Sequence, residues 1–188
     1  MVGVFVVHMM ASFVPSLRSG IPTWLGLDAH RWGSMAPFFP VWQVGTYMFL
    51  HSDGGLSHIL FNMLGLYFFG TMLEGSIGKR RLYTQFFMAG AVGALVHLIV
   101  SLISAGGRPV VGASGAVLGL VVACAVMYPR RMVLVLFIPV QLWILATIVV
   151  AGDLFAVLVQ LRDGGTDGVA HWVHLGGAAW GALAAKFG

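Results

Sequence analysis

Residues 82–107 and 132–152 contain no Lys, Arg, Asp or Glu, and long uncharged stretches of this kind are the signature of repeated membrane spans. Soluble domains carry about 25% charged residues. Here the figure is 9%, and 59% of the 188 residues are hydrophobic. A globule of that length has too little interior to hide so much apolar surface, so the chain reads as a polytopic membrane protein. The net charge of +4 does not point to nucleic acid, because the basic residues sit in short clusters between apolar runs instead of along one face. They act better as topology signals. Cys124 lies alone in an apolar run, which excludes an intramolecular disulfide and suggests a small filler of the interior.

Six apolar runs are expected to form helices: Met1–Phe13, Leu56–Leu73, Leu82–Ala105, Ser114–Met127, Pro139–Leu161 and Val169–Ala185. Together they form a single all-α domain over residues 1–188, with a long first loop at about 14–55 rich in Pro, Gly and Trp. Trp24, Trp32 and Trp42 suit a loop at the headgroup level. The first run is short for a span. The connections after runs one, three and five mix Arg18, Arg31, Arg108 and Arg162 with Asp28, Asp53, Asp163 and Asp167 and are near neutral. The opposite side holds Lys79, Arg80, Arg81, Arg130, Arg131 and Lys186, so both termini are expected in the cytoplasm. The chain ends at Gly188 soon after the sixth run, and we expect no attached soluble domain.

With this topology runs two, four and six all point inward. The fourth stands out: Gly115 to Tyr128 is 14 residues, or roughly 21 Å of helix against roughly 30 Å of hydrocarbon. Its N-terminus must begin below the outer surface. Irregular backbone at that depth is tolerated only where protein encloses it or water reaches it, so a wet pocket inside the membrane is expected.

Gly112-Ala113-Ser114-Gly115 opens this short helix, with Gly119 one turn on. A hydroxyl there lies beside unpaired backbone N–H groups and the positive end of the helix dipole, a setting that favours an oxyanion. The sixth run carries His174-Leu175-Gly176-Gly177 and Gly181. His174 stands 12 residues before Lys186 and Ser114 stands 15 before Pro129, so the two lie at similar depth. The pairs Gly115/Gly119 and Gly177/Gly181 allow close helix approach. On the second run, His58 and Asn62 share one face, and Asn62 is 12 residues above Glu74, at the same level again. Taken singly, each of these residues is more often a packing element or an interhelical hydrogen bond. Gathered at one depth in a membrane, where polar groups are costly, they indicate a site.

At these residues the chain resembles the rhomboid family of intramembrane serine proteases. The matching pattern is His58-xxx-Asn62, Gly112-Ala113-Ser114-Gly115, and His174-xx-Gly177-xxx-Gly181, with further likeness over Val41–Gly78, including Phe49-Leu50-His51 and Glu74-xxx-Gly78. The resemblance implies a six-helix bundle hydrolysing peptide bonds in or beside the bilayer. Ser114 would be the nucleophile and His174 the general base and acid, with His58, Asn62 and the Ser114 backbone N–H as oxyanion hole. It implies single-span membrane proteins as substrates, no cofactor or metal, and no nucleic-acid partner. A bacterial inner membrane is expected from the small size, by analogy. No acid is evident at the catalytic layer, so a Ser–His dyad is expected.

The chain departs from the family pattern in places. Gln43 follows Trp42 where the family often has arginine, and Leu118 replaces a common aromatic that packs on the catalytic imidazole. His171, one helical turn above His174, is open to three readings, a proton relay, a hydrogen-bond partner or an interfacial side chain, with the last favoured; His51 reads as a neighbour of the site that helps water reach it or, equally well, as a loop residue. His8, His30 and His97 are read as structural or interfacial, and Glu74 as a structural partner for Lys79–Arg81. Asp153 is the intramembrane charge with no evident role; it would face a wet interior or the outer end of the fifth helix.

Rival classes fare worse. The His-Glu-xx-His helix of zinc proteases is absent, and no acid or cysteine stands beside the histidines at ligand spacing. An aspartyl intramembrane protease needs two membrane carboxylates, and Asp153 supplies one. A transporter would fit the wet pocket, but no inverted repeat is found. An inactive rhomboid-like protein that binds transmembrane helices is the remaining alternative, although both catalytic residue types are present. Lateral access is expected between the second and fifth helices, past Phe68, Phe69, Trp143, Leu154 and Phe155.

Overall fold

A computed structural model of the protein describes residues 23–50, 56–104, 109–135, 137–163 and 169–187. The expected first helix, His8 and His51 lie outside them. Five long helices follow a first-loop segment holding α1 (Ala29–Ser34), α2 (Gln43–Thr46) and a 3-10 turn (Tyr47–Phe49). They are α3 (Leu56–Ile77), α4 (Lys79–Ile103), α5 (Ser114–Met127), α6 (Leu142–Asp163) and α7 (His171–Phe187). Two of them, α4 and α6, are long and apolar enough to cross a membrane; α5 is apolar but short.

The reversal between α3 and α4 rests on Gly78, whose φ of +80° suits glycine and ends the first helix as the second begins. Its N–H bonds to the Glu74 carbonyl at 2.9 Å, and its own carbonyl receives Leu82 N–H at 3.0 Å.

The expected helix from Pro139 is corrected. Residues Met132–Val135 (β1) and Ile138–Gln141 (β2) form an antiparallel hairpin, pairing Met132 with Gln141 and Val135 with Ile138. Four β-branched residues favour extended backbone here, and Pro139 cannot donate a helical hydrogen bond. The helix therefore starts at Leu142, so the fold is not purely helical. Hydrogen bonds from Leu142 N to Arg131 O (3.0 Å) and Trp143 N to Pro129 O (3.1 Å) tie the base of the hairpin to the start of α6.

Helix α5 is the axis of the bundle. Every residue from Gly115 to Ala125 is buried, which accounts for a sequence apolar on all sides. Against α3, the contacts Gly112 with His58, Gly65 with Val117, Cys124 with Phe69 and Tyr128 with Ser76 advance together along both helices, so the two run parallel. Against α7, Gly115 meets Gly177 and Gly119 meets Gly181, again in parallel. Helix α4 runs the other way: Gly93 lies on Val173 and Gly176, while Gln85 accepts from Trp180 Nε1 at 3.0 Å. The common direction inferred for the second, fourth and sixth runs is thus the observed one.

Candidate active site

The site is built where α5 begins. An antiparallel bridge joins Leu27 to Val110 (N···O 2.9 and 2.8 Å), and Gly112 N–H donates to Tyr47 O at 2.9 Å. Tyr47, wholly buried, donates its hydroxyl to the Gly90 carbonyl of α4 at 2.8 Å. The first loop therefore fixes the irregular strand that delivers Ser114. Gly112 has φ +120°, and a Cβ there would stand 2.9 Å from His58 Cε1. Only glycine lets the chain turn into the helix with that imidazole alongside.

Ser114 Oγ lies 2.7 Å from His174 Nε2. The approach depends on the glycines named from the sequence. A Cβ on Gly177 would collide with the Gly115 carbonyl oxygen, and one on Gly181 with that of Gly119. Gly115 and Gly119 are confined less severely, with Val173 O and Gly177 O each 2.8 Å from an added Cβ. Small residues on both helices bring the backbones into contact, and the side chains meet as a result.

Two expectations are corrected here. Asp153 of α6 reaches the catalytic layer: its Oδ1 lies 3.0 Å from His174 Nδ1. His171 is not interfacial but buried, with Nδ1 2.5 Å from the same oxygen. Asp153 Oδ2 is buried and has no hydrogen-bond partner among the described residues. The signal available in the sequence was the His171/His174 spacing, which puts both imidazoles on one helical face, together with a lone acid in an uncharged span. What was missing was the rotation of α6 that brings the two together.

Asp153, His171 and His174 also form a group whose ligand atoms lie within 4.8 Å of one another, so an acid does accompany the histidines. The 2.5 and 3.0 Å spacings are nonetheless those of hydrogen bonds. Tetrahedral zinc ligands at about 2.0 Å would stand about 3.3 Å apart. The donor set fits proton sharing better than metal binding.

At the N-terminus of α5 no side chain among the described residues caps the helix, and the first helical acceptor bond runs from Val117 N to Ala113 O at 2.9 Å. The N–H groups of the first turn are thus positioned to receive an oxyanion. His58 flanks Gly112. Asn62 is buried on α3, one turn before the Gly65 contact with Val117, so it faces the start of α5; its Nδ2 donates to the His58 carbonyl at 2.9 Å. An amide has a second N–H.

Gln43, which stands where the family often has arginine, is fully buried. Its Oε1 accepts from Asp28 N and Trp32 Nε1, both at 3.2 Å, and its Nε2 donates to Trp24 O at 3.3 Å. The amide thus stitches the first loop together without placing a charge there. His97 is buried on α4 with Nε2 3.3 Å from Ser101 Oγ, in keeping with a structural reading.

The rhomboid domain family model matches residues 39–188. The chain belongs to the rhomboid family. Among curated rhomboids it is 33% identical over 155 residues to "RHOMBOID-like protein 12, mitochondrial" of Arabidopsis thaliana, covering 74% of this chain and 44% of that protein. It is 31% identical over 144 residues to RHOMBOID-like protein 4 of the same plant, covering 76% of this chain and 32% of the relative. This rhomboid chain thus spans less than half the length of either. The family is membrane-embedded, in agreement with the two apolar helices long enough to span. The expected bacterial inner membrane finds no support, since these relatives are plant proteins and one is mitochondrial by name.

Proposed function

We propose that this rhomboid is an intramembrane serine protease acting on single-span membrane proteins in a six-span bundle with both termini cytoplasmic. The observation that carries the reading is the 2.7 Å contact between Ser114 Oγ and His174 Nε2 at an uncapped helix N-terminus. In attack, Nε2 takes the hydroxyl proton as Oγ bonds to the scissile carbonyl carbon. The carbonyl oxygen becomes an oxyanion, held by the Ser114 N–H, His58 and Asn62. His174 then protonates the departing amine, and water, deprotonated by the same imidazole, releases the acyl group.

A folded transmembrane helix hides its carbonyls, so segments weakened by Gly or Pro reach such a site at lower cost. Lateral access between α3 and α6 is supported by the exposure of Phe68, Trp143, Leu154 and Phe155 and by how little the two helices touch. Phe69 lies deeper, packed against the core. The inactive, helix-binding alternative draws nothing from an intact serine–imidazole hydrogen bond.

Purified protein in liposomes should cleave a transmembrane reporter, and Ser114→Ala should abolish cleavage. Undiminished turnover in that variant would discard the mechanism.

A further inference from the structure

Asp153 has no part in a Ser–His dyad, yet it is the buried carboxylate nearest to the reacting imidazole. Its Oδ1 contacts two Nδ1 atoms, at 2.5 Å from His171 and 3.0 Å from His174. An ionised carboxylate only accepts hydrogen bonds, so both nitrogens must carry hydrogen. Were the carboxyl protonated on Oδ1, its one hydrogen could serve only one of the two rings, and the other would still have to donate. Two donors meeting on one oxygen are what a carboxylate requires.

That arrangement fixes the tautomer of His174. With the proton on Nδ1, the lone pair lies on Nε2, which is the atom 2.7 Å from Ser114 Oγ. The opposite tautomer would point an N–H at the hydroxyl and could not accept its proton. When His174 becomes imidazolium during attack, the negative charge 3.0 Å away stabilises it in a medium that screens weakly. His171 serves a separate purpose. It donates to the same oxygen from one turn earlier on α7 and so holds that oxygen within reach of His174.

We propose that Asp153 and His171 form a positioning pair that sets the tautomer and charge of His174, making the site a Ser114–His174–Asp153 triad supported by a fourth residue. The proposal rests on the protease reading above. The pair touches neither substrate nor reacting atoms; it acts through His174.

The test uses the full chain in detergent with two readouts: turnover of the transmembrane reporter, and the rate and endpoint of Ser114 labelling by a fluorophosphonate. In labelling, Oγ bonds to phosphorus, fluoride leaves and His174 takes the proton, so the rate reports serine activation while the endpoint counts folded sites. Asp153→Asn should lower kcat and the labelling rate by about 100-fold or more with KM within about two-fold. Asp153→Glu should recover part of the loss. His171→Leu should cost about ten-fold, and His171→Asn, whose amide can donate from a similar place, should cost less.

A wild-type labelling rate in Asp153→Asn would overturn the proposal while leaving the protease reading intact. A reduced endpoint with unchanged rate would overturn it equally, because that marks a purely structural residue. Failure of the wild-type chain to label at Ser114 or to cleave would instead remove the protease reading itself. Should Asp153→Asn not fold, nitrogen NMR of the wild-type chain decides, with the His174 ring assigned from His174→Asn. An Nδ1–H tautomer is expected, and an Nε2–H tautomer overturns the proposal.

Discussion

Where α5 meets α7 the two backbones touch, whereas α3 and α6, which both reach the same site, scarcely meet each other. On the first interface a methyl group at Gly177 or Gly181 has nowhere to go, because carbonyl oxygens of the facing helix already occupy its place. On the second, large apolar side chains stand exposed, among them Tyr67 and Phe68 on α3 and Leu154, Phe155 and Leu158 on α6. Ser114 and His174 are held by the close α5–α7 seam, and Asp153 arrives from α6, which scarcely touches α3. If the site is the protease proposed above, positional accuracy is concentrated where bonds would change, and exposed apolar surface lies where a substrate helix would have to pass.

The sharpest way to break this contrast is Gly177→Val. It should unfold the seam or force the helices apart, with cleavage falling below detection and thermal stability down by about 3 kcal/mol or more; normal turnover would mean that the contact is not needed. Next is Gln43→Leu, which strands the indole N–H of Trp32 and the Asp28 N–H in the first loop. A loss of about 1–3 kcal/mol is expected in denaturant titration, with Ser114 labelling slowed because the same loop anchors Gly112. Gly65→Ala puts its Cβ 2.6 Å from a Val117 methyl, a side chain that can turn aside. A cost of about 1 kcal/mol is expected, well short of the seam variant. The mildest change is Gly152→Ala. Nothing among the described residues lies within 4 Å of that Cβ, so stability should stay level or rise by about 0.5 kcal/mol in the same assay. If the last two matched Gly177→Val in severity, the distinction between seam and flank would fail.

Much of the seam was readable in advance. Ser114–Met127 begins and ends where the glycine-rich turn and Pro129 placed it, and the depth argument put Ser114 and His174 at one level. The glycine pairs announced close approach because in a membrane small residues at that spacing have few other uses. The flank was less legible for physical reasons. Asp153 takes its meaning from residues 18 and 21 positions away on another helix, and an apolar span reveals little about which way it is rotated. The hairpin was hidden because an unbroken apolar run looks alike in a buried strand and a helix. Gln43 departs visibly from the family pattern, but its place as a fully buried hydrogen-bond hub depends on Trp24, Asp28 and Trp32 folding over it.

The hairpin that ties Leu142 and Trp143 to the end of α5 also turns α6 into a lever with its fulcrum at that end. Asp153 sits eleven residues along, an arm of about 16 Å. Swinging α6 outward by about 10° to admit a helix would carry the carboxylate about 3 Å, as far as its whole separation from His174. On the lateral-access and protease readings proposed above, opening the gap and arming His174 would therefore be mechanically opposed, and a substrate that wedged the helix aside would meet a disarmed imidazole until α6 swung home.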